Sequence, residues 1–139
     1  SGRPVMIIPE GTEVRPSFGK ILVAWNGSKE SARAISAALP LLKLAHQIEI
    51  FDLRMGARDL IELNLVRDYL RCHNLVSSIS DSAIESQAIG SEIMETMKSE
   101  DADLLVIGAY TQSRVRRLVL GGATRHILEN AKIPVLMMD

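Results

Sequence analysis

The chain has 139 residues, of which 47% are hydrophobic, 4% are aromatic and 24% are charged, with a net charge of −1. This length and composition suit one domain with an aliphatic core, and the charge does not favour non-specific binding to nucleic acid. The single cysteine, Cys72, excludes a disulfide framework and a cysteine metal site within one chain. No apolar run reaches membrane-spanning length and no signal peptide is visible, so we expect a cytoplasmic protein without nucleic-acid or membrane partners.

A pattern of one proline followed by four apolar residues occurs twice, at residues 4–8 and at residues 134–138. We interpret this pair as the fragment of an internal repeat. Residues 1–17 are therefore predicted to form an N-terminal strand and a linker, ahead of a main domain at residues 18–139.

Five strands alternate with helices along the main domain. They are predicted, in chain order, at residues 20–25, 48–53, 76–80, 104–107 and 133–138. This alternation predicts right-handed crossovers and a parallel sheet with helices on both faces. The first and fourth strands are continuously apolar and should be central, whereas the serine-rich third strand belongs at an edge. The predicted fold is α/β, with a Rossmann-like open parallel five-stranded sheet in the order 3-2-1-4-5.

Three residues mark predicted helix boundaries. Ser28 is expected to be the N-cap of the first helix. Pro40 should kink that helix or end its regular part, because proline lacks the N–H that a helix interior needs. Asn74 should end the second helix.

The winding of the predicted sheet reverses between its first and fourth strands, and ligands of such sheets bind in the crevice at that reversal. The first strand leads there into Trp25, Asn26 and Gly27, and the fourth into Gly108 and Tyr110. Gly121 and Gly122, shortly before Thr124, predict a glycine turn that opens a helix beside the same crevice. The free N–H groups and the dipole of that helix favour an anion such as a phosphate. The alternative is a helix start without a ligand.

Three arginines, Arg114, Arg116 and Arg117, follow in the loop before those glycines. One interpretation is that they neutralise a triphosphate. The other is a solvated basic turn that pairs with nearby carboxylates.

Three stretches, at residues 20–28, 101–108 and 133–136, resemble the universal stress protein family, and the similarity extends over nearly all of residues 18–138. Nucleotide-binding members of that family carry glycine, two residues, glycine, nine residues, glycine, and then serine or threonine. The matching positions here are Gly108, Thr111, Gly121 and Gly122. The spacing is thus kept, while two of the four residue types differ.

The resemblance implies a stress-response regulatory module that binds ATP or another adenine nucleotide, such as AMP. It places adenine near the end of the second strand, ribose near Asn26 and the phosphates over residues 108–111 and 121–124. We expect weak or lost binding, because Thr111 puts a branched side chain where a glycine would touch phosphate. Gly122 lacks a hydroxyl worth roughly 0.5–1.5 kcal/mol, which Thr124 could replace. The candidate nucleotide-binding residues are Trp25, Asn26, Gly27, Asp52, Leu53, Gly108, Tyr110, Thr111, Gly121, Gly122, Ala123 and Thr124.

Two other functions remain open at this point. One is a dimerisation or pseudo-dimer module that pairs with itself or with a sister domain through the edge of the strand at residues 133–138. Residues 4–8 are then predicted to lie against that strand, in this chain or in a partner, as the last strand of a preceding sister domain in a tandem protein whose C-terminal domain this chain forms. The other is a slow ATPase, although we identify no catalytic base, no metal ligands and no Walker loop.

Overall fold

The computed structural model describes residues 2–13, 15–54, 59–86, 88–109 and 122–139. Within these ranges the chain forms ten elements, in the order β1 (Val5–Ile7), β2 (Phe18–Trp25), α1 (Lys29–Leu42), β3 (Ala45–Asp52), α2 (Leu60–Cys72), β4 (Ser78–Ile79), α3 (Ile89–Ser99), β5 (Leu104–Gly108), α4 (Gly122–Asn130) and β6 (Val135–Met138). None of the helices in this described part is long and apolar enough to cross a membrane.

The strands form one mostly parallel sheet in the order β1-β6-β5-β2-β3-β4. The predicted count of five strands is wrong, and the predicted order is incomplete, because β1 adds a sixth strand beyond β6. Strand β1 runs antiparallel to β6, with Val5 opposite Met137 and Ile7 opposite Val135. The predicted contact between the two proline-led segments is therefore confirmed, and it forms within one chain. As a result β6 lies inside the sheet and is not an edge strand.

The central strands are buried on both faces, which explains their continuous apolar runs. Along β2, Ile21 and Val23 enter a core beneath α1 and α2, whereas Leu22 and Ala24 enter a second core beneath α3 and α4. Strand β5 alternates between the two cores in the same way. Each fully buried side chain of this kind contributes about 1.5–3 kcal/mol, so both faces of the sheet hold the fold together.

The helix boundaries follow the local sequence. The Ser28 hydroxyl accepts a hydrogen bond from the Ser31 N–H at 3.1 Å, which confirms it as the N-cap of α1. The helix continues two residues past Pro40 and ends at Leu42. After α2, Asn74 adopts a left-handed backbone with φ of 60°, as expected of a helix-ending residue.

A charged cluster joins β2 and β3 to the residue that follows α3. The Lys20 ammonium lies 3.0 Å from a Glu100 oxygen and 3.3 Å from a Glu49 oxygen. Burial raises the pKa of Glu49, and the adjacent Glu100 carboxyl adds to the effect. The hydrogen bond with Glu49, followed by that from Lys20, lowers the pKa of Glu100. Lys20 therefore holds together two carboxylates that would otherwise repel each other.

The first prediction concerns this cluster. The pKa of Glu49 is raised in the folded state. Protonation of Glu49 therefore stabilises the fold below its unfolded-state pKa, and this stabilisation is lost as pH rises through its folded-state pKa. Lys20→Met removes the cation that opposes this shift. We expect the variant to be about 1 kcal/mol less stable than the wild type at neutral pH, with a smaller deficit near pH 4, where Glu49 gains a proton. Urea unfolding at both pH values measures the difference.

The matched control is Lys43→Met, at an exposed lysine just after α1. Its stability relative to the wild type should not change with pH. A Lys20→Met deficit that stays constant or grows on acidification would contradict the assigned role of Lys20.

Candidate functional site

The carboxyl ends of three parallel strands and the start of α4 surround one cavity of about 260 Å³, which we call the crevice. Strand β2 leads into it through Asn26, β3 through Leu53 and Arg54, and β5 contributes Ile107. This is the position predicted from the reversal of winding in the sheet. The lining residues are Asn26, Leu53, Arg54, Ile89, Ile93, Ile107, Ala123 and Thr124.

The side chain of Asn26 links the crevice to the start of α1. Its amide oxygen accepts hydrogen bonds from the Ser28 N–H at 3.1 Å and from the hydroxyls of Ser28 and Ser31, both at 2.5 Å. Ser31 is buried. The oxygen of Asn26 is thus engaged by the protein, which leaves its amide NH₂ as the group that can serve a ligand.

Gly108 is required by a close contact with α1. A side-chain carbon at this position would lie 2.6 Å from the Ser31 nitrogen and 2.7 Å from the Glu30 carbonyl carbon. The missing side chain therefore lets the first turn of α1 approach the end of β5. Gly122 differs, because a side-chain carbon there would meet nothing within 4 Å.

Helix α4 brings its first turn to the crevice. The helix begins at Gly122, as the glycine turn predicted, and its next two residues, Ala123 and Thr124, line the cavity. Thr124 is only 1% exposed. The positive end of the helix dipole lies at this first turn and favours an anion.

Several predicted positions lie outside the described residues. These are three candidate nucleotide contacts and the three loop arginines: Tyr110, Thr111, Gly121, Arg114, Arg116 and Arg117.

Arg54 is a lining residue that the sequence reasoning missed. Its Nε donates to one oxygen of Asp52 at 3.0 Å and its Nη2 to the other at 2.9 Å, while its Nη1 donates to Glu62. These bonds, above all those to Asp52, raise the pKa of Arg54. The signal for this residue was an arginine two positions after an acidic residue at the end of a buried strand.

Three further candidate residues do not line the crevice. Asp52 is 2% exposed, and its carboxylate is bound by Arg54. Gly27 has φ of +78°, and a side chain there would lie 3.3 Å from Arg54 Nη1. Trp25 instead lines a separate groove of about 520 Å³ between α1 and α2. The indole nitrogen of Trp25 is buried and has no hydrogen-bond partner among the described residues.

The structure thus gathers four of the predicted contacts, Asn26, Leu53, Ala123 and Thr124, around one cavity. Within the described ranges, no group of three or more histidine, cysteine, aspartate or glutamate residues is arranged to hold a metal ion.

Comparison with known proteins agrees with this architecture. The model of the universal stress protein family matches residues 56–139, which is more than half of the chain. A search of curated proteins finds no match.

Three solved structures illustrate the likeness. A universal stress protein from Archaeoglobus fulgidus DSM 4304 has a TM-score of 0.79 and 20% identity over 100% of this chain and 52% of its own. A second from Archaeoglobus fulgidus has a TM-score of 0.69 and 21% identity, over 87% of this chain and 98% of its own. A universal stress protein in complex with cAMP has a TM-score of 0.68 and 19% identity, over 88% of this chain and 98% of its own. Such identities show the fold alone, and the chain spans about half the length of the first of these proteins.

The second prediction tests the contact at Gly108. Gly108→Ala should destabilise the protein by about 1–3 kcal/mol, because the added methyl group overlaps the backbone of α1. The matched control is Gly122→Ala, which has open space and lies in a helix, so it should be neutral or stabilising by up to about 1 kcal/mol. Urea unfolding of both variants measures this, and equal effects at the two glycines would contradict the assignment.

Proposed function

The chain belongs to the universal stress protein family, and from this premise we propose that it is a cytoplasmic stress-response regulatory module whose crevice binds an adenine nucleotide. The observation that carries the proposal is the convergence of Asn26, Ala123 and Thr124 on one cavity. The Asn26 amide can donate a hydrogen bond to a sugar hydroxyl. The N-terminus of α4 favours a phosphate. The structural neighbour in complex with cAMP supports the same ligand class.

In this proposal each side of the crevice has its own role. The first turn of α4 receives the phosphates, and Asn26 donates to the ribose. The base lies among the aliphatic side chains that line the remaining wall, namely Leu53, Ile89, Ile93 and Ile107. The proposal retains the family-motif positions Gly108, Thr111, Gly121 and Gly122, together with Tyr110, on the phosphate side, as the sequence resemblance implies. It assigns Asp52 to hold Arg54 and leaves Trp25 outside the site.

The proposed binding is weak for two reasons. Thr111 and Gly122 replace two residues of the family's motif, as the sequence resemblance implies. In addition, the amide oxygen of Asn26 is already bonded to Ser28 and Ser31, so it has less to offer a ribose hydroxyl.

The third prediction tests the phosphate end of the crevice. Ala123→Glu places a carboxylate in the first turn of α4, where it stabilises the helix but repels a phosphate. We expect the affinity for ATP to fall about tenfold or more, with a smaller effect on adenosine and no loss of thermal stability. Calorimetric titration with each ligand measures this.

The control is Ala123→Gln, which adds a side chain of the same size without charge and should largely retain ATP binding. Wild-type protein that binds neither ATP nor adenosine at millimolar concentrations would refute the nucleotide site. Equal losses of ATP affinity in both variants would mean that steric hindrance, and not charge, acts at this position.

A second proposal concerns β1. We propose that residues 1–17 are the end of a preceding sister domain, and that β1 occupies the side of β6 where a partner strand would otherwise pair. Two observations support it. Strand β1 pairs antiparallel with β6 over three residue pairs, and the chain spans about half of the longer Archaeoglobus fulgidus protein.

The fourth prediction follows from this second proposal. A truncated chain of residues 9–139 should expose the side of β6 that β1 covers and should form dimers whose fraction rises with concentration. A chain of residues 4–139 keeps the strand and is the control, which should remain monomeric. Sedimentation equilibrium distinguishes the two. A monomeric 9–139 chain with an intact fold would show that this side of β6 is not a pairing surface.

A further inference from the structure

The bonds of Arg54 point to a role at the base end of the crevice. We propose that Arg54 is a stacking surface that selects ligands with a flat heteroaromatic base. This inference rests on the proposed nucleotide site, and it names the residue that recognises the base in that site.

The guanidinium of Arg54 is held in one position. The two oxygens of Asp52 accept hydrogen bonds from it, at 3.0 and 2.9 Å, and Glu62 accepts a third. The Arg54 backbone N–H also donates to Asp52, at 2.9 Å. Such paired bonds run in the plane of the guanidinium. They engage its edges, and a guanidinium held by its edges can stack an aromatic ring on a flat face.

The charges around Arg54 argue against a role in binding phosphate. One guanidinium faces two carboxylates, those of Asp52 and Glu62, so the cluster carries a net charge of −1. The carboxylate of Asp52 is 1% exposed, and it is therefore little screened by water. An anionic group is better served by the first turn of α4 than by this cluster.

The surroundings of Arg54 are apolar enough to hold a nucleobase. Its side chain is 34% exposed and lines the crevice. The same cavity is lined by four aliphatic residues, Leu53, Ile89, Ile93 and Ile107. A flat ring in this cavity can contact apolar side chains and the face of a cation, which attracts aromatic rings.

The fifth prediction compares ligands that differ only in the base. Wild-type protein should bind AMP at least fivefold more tightly than ribose 5-phosphate, which has the same sugar and phosphate. Arg54→Lys keeps the charge but lacks the flat face, so it should weaken AMP about fivefold and leave ribose 5-phosphate unchanged. Each ligand is titrated calorimetrically into the same protein preparation. Any unfolded fraction then affects both titrations alike, so it does not change the ratio of the two affinities. Arg33→Lys, at an exposed arginine of α1, is the matched control and should change neither affinity.

Two outcomes would overturn the inference while leaving the nucleotide site in place. One is a wild type that prefers AMP over ribose 5-phosphate by less than about twofold. The other is an Arg54→Lys variant that either keeps the wild-type preference or loses both ligands equally, the latter being the result expected of a phosphate contact. If the wild type binds neither ligand, the proposed function fails and the inference fails with it.

Discussion

The contact between the end of β5 and the start of α1 sets the geometry on which the crevice depends. Gly108 allows the two backbones to approach, and the bonds of Asn26 to Ser28 and Ser31 fasten the same turn of α1 to the end of β2. Two neighbouring strand ends and one helix start are thereby tied to each other. Because these groups are close-packed and bonded, they have little freedom to shift independently. The shape of the crevice at this side is therefore largely set before any ligand arrives.

A second constraint is the buried carboxylate of Asp52. A charge removed from water must be paired, and Arg54 supplies the partner with two parallel bonds. Glu62 of α2 then shares the same guanidinium. The strand end, the crevice and the first turn of α2 are joined through one cation, whose N–H edges are engaged by the two carboxylates.

Much of the fold could be predicted from the sequence, because periodicity and boundary residues act locally. The buried strands β2 and β5, the cap at Ser28 and the helix end at Asn74 followed from such signals. The N-terminal strand and its pairing partner were also predicted, but the six-stranded sheet was not, because the pattern did not show whether the pairing would occur within one chain or between two.

The site was predicted less completely. Adjacent residues of a strand point to opposite faces, so Trp25 and Asn26 could not both face one cavity. Leu53 lines the crevice, whereas the carboxylate of Asp52 is bound by Arg54. Arg54 was not predicted, because its bonds to Asp52 and Glu62 bring together residues that meet only in the folded chain.

The position of β1 has a consequence for how the protein resists misassembly. The two outermost strands of the sheet, β1 and β4, are only three and two residues long. The apolar strands β2, β5 and β6 lie between them, and each pairs with a neighbour on both sides. Short outer strands offer few unpaired backbone groups to another molecule, so the sheet presents a poor template for fibril-like growth.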